Sequence, residues 1–220
     1  MIGSIIALLR LFVVMDTLLN YPCLAELKIR GAFSLFVLTN RAKSDKILLQ
    51  RKGGAMDKYK QLLIAVSERP HLVLFLKLVD IFAVVATVCT FVAMLVMLGL
   101  SDLYLAVRLA FVCGAPYVLV SLVRGLIDAP RPYEVYNDIY TVPPKKREGA
   151  SFPSRHAFSV FSIGTALLFV YPSAAADILV LGIFLSVSRV LLGKHFLRDI
   201  VAGGVLGIMT SLVGMLILYF

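Results

Sequence analysis

Long stretches without a charge constrain this chain more than any other feature. Ile81–Leu100 runs for twenty positions with no Asp, Glu, Lys or Arg, and Ile200–Phe220 runs for 21. A bilayer's hydrocarbon core of about 30 Å takes roughly 20 apolar residues in a helix. Such runs read as membrane spans, and buried helices of a soluble core are a poor alternative at these lengths. Three further stretches read the same way: Leu103 to Ile127, which contains Pro116; Ala157–Ala176, with Pro172 marking its end; and Ile178–Leu192, with Arg189 near its end. The first span is expected to begin a turn or two before Ile81 and to take in Lys77 and Asp80, which are three apart and so placed to pair. The pattern predicts an all-α polytopic membrane helix bundle with about five transmembrane helices. Ile2–Leu19 is apolar but interrupted by Arg10 and Asp16, and reads as an imperfect sixth span, a signal-like segment or an interfacial helix.

Composition agrees, because 60% of the residues are hydrophobic and only 16% charged, where soluble domains carry roughly 25% charge. Disorder is excluded by that hydrophobicity. A disulfide scaffold is excluded by a cysteine count of three, and Cys23, Cys89 and Cys113 read as apolar fillers. The net charge of +9 is unevenly spread: residues 72–220 hold 11 Lys and Arg, and nine of these fall between Arg124 and Arg198. Apolar runs separate them, which does not suit a nucleic-acid partner. What remains is an anionic bilayer surface or an anionic substrate.

The only long polar connection, Asp128 to Arg155, and the short one around Gly193 to Arg198 fall on the same side of an alternating bundle. Together they carry most of those cations and His195, while His156 opens the third span, so both histidines face the same side; His71, beside Pro70, reads as a solvated boundary residue. Histidines and arginines kept beside a bilayer are costly unless they serve something. His195 and Asp199 are four apart, so on a helix they would share a face. A carboxylate there can fix the imidazole tautomer and leave the other ring nitrogen free to attack. Arg124, Arg131 and Arg189 converge from separate segments, and planar guanidiniums suit a phosphate or the trigonal bipyramid of phosphoryl transfer. His156 is placed to protonate a leaving oxygen. With no acidic cluster for Mg²⁺ and no Cys/His spacing for zinc, the chemistry reads as phosphoryl transfer through histidine, with no metal and no cofactor.

Three ordered segments sharpen this reading: Arg124-x6-Arg131-Pro132, then Pro153-Ser154-Arg155-His156, then Ser188-Arg189-x5-His195-x3-Asp199. They resemble the signature of the type 2 phosphatidic acid phosphatase (PAP2) superfamily, written K-x6-R-P, P-S-G-H and S-R-x5-H-x3-D. The resemblance implies a PAP2-like helical core and a lipid phosphatase. It implies His195 as a nucleophile that forms phosphohistidine, Asp199 as its orienting carboxylate and His156 as general acid. Arg124, Arg131, Ser154 and Arg189 would hold the phosphate. Two positions depart from the pattern. Arg124 stands for Lys, which keeps the charge and adds a fork. Arg155 stands for Gly, whose backbone N–H it keeps while losing glycine's backbone freedom; it would add a phosphate contact, narrow the pocket or point to the headgroup.

The expected substrate is a lipid phosphate or pyrophosphate such as undecaprenyl pyrophosphate, phosphatidic acid or phosphatidylglycerophosphate, reached from the bilayer, with a bacterial cytoplasmic membrane as the expected location. Two alternatives are transfer of the phosphoryl group to an acceptor other than water, and a non-catalytic protein that binds anionic lipid. Positive-inside counting puts the site loops in the cytoplasm, although catalytic arginines bias that count; Lys145, Lys146 and Arg147 read as topological charges of this kind. Gly203 and Gly207 form a small-xxx-small pair that permits close helix approach inside the bundle. Residues 1–55 are expected to be an N-terminal extension and residues 56–220 the working domain. Met56 is a candidate natural start, because Lys52-Gly53-Gly54 can be encoded by a purine-rich ribosome-binding sequence. Peptides from residues 1–50 in a mass spectrum of the native protein would exclude that start.

Overall fold

The computed structural model describes residues 53–136 and 150–217, and these form seven helices with no strand among them. The expectations for Ile2–Leu19 and for Lys145 to Arg147 lie outside the described residues. The helices are α1 (Gly53–Ser67), α2 (Pro70–Ser101), α3 (Leu103–Ile127), α4 (Pro132–Val135), α5 (Arg155–Leu167), α6 (Pro172–Leu191) and α7 (Leu197–Ile217). Helix α1 runs through Met56 without a break.

Four of them, α2, the α3 region, α6 and α7, are long and apolar enough to cross a bilayer. Their boundaries follow from local chemistry. Pro70, Pro132 and Pro172 each sit in the first turn of a helix, where a missing N–H costs nothing. Asp102 alone joins α2 to α3: its backbone N–H donates to the Leu98 carbonyl and its side chain accepts from Leu105 N–H at 3.1 Å. One aspartate thus ends one span and begins the next. The outward faces are apolar, with Phe75, Phe82, Phe111, Leu119, Phe184 and Val205 among many exposed side chains. On a soluble protein such a surface would aggregate; here it faces lipid.

The stretch at Ala157–Ala176 differs from its expected form. Helix α5 has only 13 residues, the chain turns at Leu168 to Val170, and Pro172 opens α6 instead of closing α5. Nine of the 13 residues of α5 are buried, against seven of the 32 in α2. Helix α5 is therefore the inner helix, surrounded by α3, α6 and α7, and hydropathy alone does not separate an inner helix from a lipid-facing one. The core joins Ala83 and Phe91 of α2, Leu109 and Val112 of α3, Val160 and Leu167 of α5, and Leu185 of α6.

Contact is most extensive between α5 and α7, and glycine explains it. A Cβ on Gly203 would run into the Ser154 carbonyl, and one on Gly207 into the Phe158 carbonyl. The small-xxx-small pair thus lets two backbones meet, and Ser162 and Ser211 add a buried hydroxyl pair at 2.6 Å. At the far end of α7, the buried Arg108 guanidinium donates to the Met215 carbonyl, a cation at a helix C-terminus. Helix α1 lies against the site end: Leu63, Tyr59 and Ile64 pack on Tyr136 and Phe196, and Val66 packs with Leu76 and Leu192. Since the obstacle at Gly207 is backbone, Gly207→Ala should destabilise the protein by about 1–3 kcal/mol. Gly114→Ala, with nothing within 4 Å of the new methyl, should leave the melting midpoint in detergent unchanged or raise it.

Candidate active site

The site begins where α6 ends. Gly193 adopts a left-handed φ of 66°; its N–H donates to the Val190 carbonyl, and Lys194 N–H donates to the Arg189 carbonyl at 3.0 Å. This is a Schellman termination, which requires a residue at positive φ and so favours glycine. It reverses the chain within five residues and leaves His195 N–H 3.4 Å from the same Arg189 carbonyl. The spacing from Arg189 to His195 is thus the length of one helix-ending turn. Tyr59 of α1 covers this turn, its hydroxyl donating to the Val190 carbonyl at 2.9 Å. Burial holds the pKa of that hydroxyl above its ordinary value, so it stays a donor.

His195 precedes α7 rather than standing on its face. Its Nδ1 lies 3.8 Å from Asp199 Oδ2, too far for a hydrogen bond. Ser151 fills the gap: its Oγ is 2.5 Å from Asp199 Oδ2 and 3.3 Å from His195 Nδ1. One donor order satisfies both contacts, with the Ser151 hydroxyl donating to the carboxylate and the Nδ1–H donating to Oγ. That order puts the ring proton on Nδ1 and leaves Nε2 with a free lone pair. Asp199 is fully buried and also accepts from Phe196 N–H at 3.1 Å, while Arg198 Nε stands 3.4 Å from its other oxygen.

The second segment meets the third through the backbone. Ser154 caps α5, its Oγ accepting from Ala157 N–H, and its own N–H donates to the Asp199 carbonyl at 3.0 Å. The first-turn N–H groups of Arg155 and His156 belong to a helix N-terminus, which favours an anion. Arg124, buried in the last turn of α3, donates from Nη1 to the Pro153 carbonyl at 3.4 Å. Arg131 stands before α4, held by a bond from its backbone N–H to Glu134 Oε2 at 3.0 Å and stacked near the Tyr133 ring. His156 lies within electrostatic reach of Arg189, His195, Arg155 and Arg124, and His195 within reach of Arg124, Arg189 and Arg131. All eight residues singled out in the sequence therefore meet at one end of the bundle. The arrangement offers a neutral imidazole nitrogen, a second imidazole and several guanidiniums around one point, which is what transfer of an anionic group needs.

Two neighbours were not expected. Ser151 lies 44 residues from His195, and nothing in local spacing marks it. Asp80 pairs with Arg189 and Lys194 instead of Lys77: Arg189 Nε is 2.8 Å from Oδ1 and Lys194 Nζ is 2.6 Å from Oδ2. A carboxylate within an apolar span was a signal that local i,i+3 pairing did not account for. Ser188, although part of the third segment, donates to its own helix at the Leu185 carbonyl.

Lipid-facing helices that gather buried arginines and two histidines at one end define an integral membrane protein. Residues 105–220, just over half of the chain, match the PAP2 superfamily, and the chain belongs to it. No curated protein matches it by sequence. Among solved structures, LpxE of Aquifex aeolicus superposes with a TM-score of 0.55 at 20% identity, over 70% of this chain and 93% of that one. The first transmembrane PAP2 type phosphatidylglycerolphosphate phosphatase from Bacillus subtilis superposes with a TM-score of 0.57 at 17% identity, over 86% of this chain and 94% of that one.

His195 lies in the connection between spans, and its pKa is pushed down to about 4. Burial is the largest cause; Arg124, Arg189 and Arg131 push the same way, and the neighbouring Asp199 carboxylate opposes them. The ring should therefore stay neutral at pH 5 to 6, where an ordinary histidine begins to take a proton. In an NMR titration its midpoint should lie near 4, rise in Arg124→Gln and fall in Asp199→Asn; a wild-type midpoint of 6 to 7 would contradict the buried geometry.

Proposed function

We propose that this protein is a membrane-embedded phosphatase that hydrolyses a lipid phosphate or pyrophosphate through phosphohistidine. The observation that carries the reading is the chain from His195 Nδ1 through Ser151 to Asp199, which leaves Nε2 as the nucleophilic nitrogen within reach of Arg124, Arg131 and Arg189. Nε2 attacks phosphorus and the P–O bond to the lipid breaks. His156 gives its proton to the departing oxygen. A water then attacks the phosphohistidine, His156 takes the water's proton, inorganic phosphate leaves and the imidazole is restored. Charge on the transferring group is met by Arg124, Arg131 and Arg189, by Ser154 and by the first-turn N–H groups of α5.

Half-buried Arg155 opens α5, where its N–H joins that set while its side chain adds a cation for the phosphate or the headgroup. The proposed site lies at the ends of lipid-facing helices, which supports a substrate anchored in the bilayer that reaches it by sliding sideways. Undecaprenyl pyrophosphate, phosphatidic acid and phosphatidylglycerophosphate all fit that description. The Bacillus subtilis structure, whose own substrate is a phosphatidylglycerophosphate, supports the class.

A panel of lipid phosphates in detergent, with phosphate release as readout, tests the function. At least one should turn over, and chelator should leave the rate intact. His195→Ala should lower kcat by more than about 10³-fold with an unchanged melting midpoint, and full activity in that variant would sink the mechanism. Ser151→Ala should lower kcat between about tenfold and the ~10⁴ that loss of a triad's orienting carboxylate costs. If Arg155→Gly raised turnover on the same substrate, Arg155 would not be a phosphate ligand.

A further inference from the structure

Helix α2 has one buried charged residue, Asp80, which is 5% exposed in a helix that otherwise packs through Leu76, Ala83, Thr87, Phe91, Leu98 and Gly99. A carboxylate buried in a membrane span is expensive unless cations hold it. The cations that hold Asp80 both belong to the turn that carries His195. Arg189 meets it side-on, Nε at 2.8 Å from Oδ1 and Nη2 at 3.4 Å from Oδ2, and Lys194 Nζ lies 2.6 Å from Oδ2. Asp80 stands outside residues 105–220, the part of the chain that matches the superfamily.

We propose that Asp80 is a positioning residue for phosphoryl transfer: it fixes the guanidinium of Arg189 and, through Lys194, the turn on which His195 sits. This rests on the lipid phosphatase reading above. A guanidinium has five N–H donors. Only Nη2 donates a hydrogen bond to the carboxylate, at Oδ2, while Nε stands against Oδ1 as an ion-pair contact at 2.8 Å, so Asp80 engages one edge of the guanidinium. The same carboxylate also holds Lys194, the residue immediately before His195. Lys194 and His195 both direct their backbone N–H groups at the Arg189 carbonyl. Asp80 therefore grips the start of the turn by one side chain and its end by another. Without that charge, Arg189 and Lys194 would repel each other, and Arg189 would also face Arg131 unopposed. A rotation of the guanidinium by tens of degrees would then withdraw donors from the transferring phosphoryl group while leaving the histidine chemically intact.

The test uses the full chain purified in detergent, with Asp80→Asn, Arg189→Gln and the double variant. Two readouts apply: kcat and KM on whichever lipid phosphate the wild type hydrolyses, and the affinity for orthovanadate, an oxyanion that binds without turnover. Asp80→Asn should lower kcat by about thirtyfold or more, change KM by less than about threefold and weaken vanadate binding about tenfold. In the Arg189→Gln background the same change should cost clearly less than in the wild type, because only the part of the effect that runs through Lys194 remains. A packing role would instead lower the melting midpoint and multiply with Arg189→Gln. Asp80→Glu, which keeps the charge but displaces the fork by one methylene, serves if Asp80→Asn does not fold, and should lose kcat with an unchanged midpoint.

Asp80→Asn within twofold of wild type on both readouts overturns the proposal, and so do multiplicative losses in the double variant. If the wild type hydrolyses no lipid phosphate but binds vanadate, the function proposed above fails, and the vanadate arm alone decides the role of Asp80. A wild type that neither hydrolyses nor binds vanadate overturns both.

Discussion

Helices α5 and α7 meet backbone against backbone, and the geometry of the site depends on that contact. Gly203 lies against the Ser154 carbonyl, so the N-terminus of α5 is held beside the first turn of α7. At that separation Ser154 N–H reaches the Asp199 carbonyl. The hydroxyl that caps α5 and the carboxylate beside Ser151 and His195 are thus fixed by main-chain atoms, which move less than side chains. A side chain at either glycine would open the helix pair and separate His156 from His195, although neither glycine touches any reacting group.

Around this contact the chain solves a difficult electrostatic problem. Arg124, Arg131 and Arg189 are all less than a tenth exposed, as is the neutral ring of His195, and three guanidiniums together cannot be stabilised by burial. Each is instead tied to a fixed acceptor or ring: Arg124 to the Pro153 carbonyl, Arg131 to the face of Tyr133, Arg189 to Asp80, and His195 to Ser151. Every such tie occupies only part of a group's donor capacity. Groups held in place in this way would need little reorganisation to meet an anion.

Much of this was legible in the sequence, and the failures share a cause. Uncharged runs located the spans, and the second of them coincides with the 103–127 helix at both ends, because hydropathy reports lipid contact directly. The same signal overstated α5, since an inner helix is as apolar as a lipid-facing one and needs less length. Local spacing put His195 and Asp199 on one helical face and paired Asp80 with Lys77. In both cases a tertiary partner won: Ser151 comes between the first two, and Arg189 and Lys194, more than a hundred residues away, take the carboxylate. Motif residues announce themselves by order and type, whereas the groups that orient them depend on which helices lie side by side. Gly193 was legible in kind but not in role, as its left-handed turn sets the distance from arginine to histidine.

The long connection between α3 and α5 is pinned at both roots. Asp128 Oδ1 accepts from Ala150 N–H at 3.2 Å, and the Ala129 carbonyl accepts from Ser151 N–H at 2.8 Å. These two bonds tie the chain that leaves α3 to the chain that enters α5, so Ser151 is held by main-chain atoms close to the end of α3. Ser151 thus takes its place from the end of one helix while its hydroxyl contacts a residue that opens another, so a change that loosened the end of α3 would be felt at His195 through a residue that belongs to no motif.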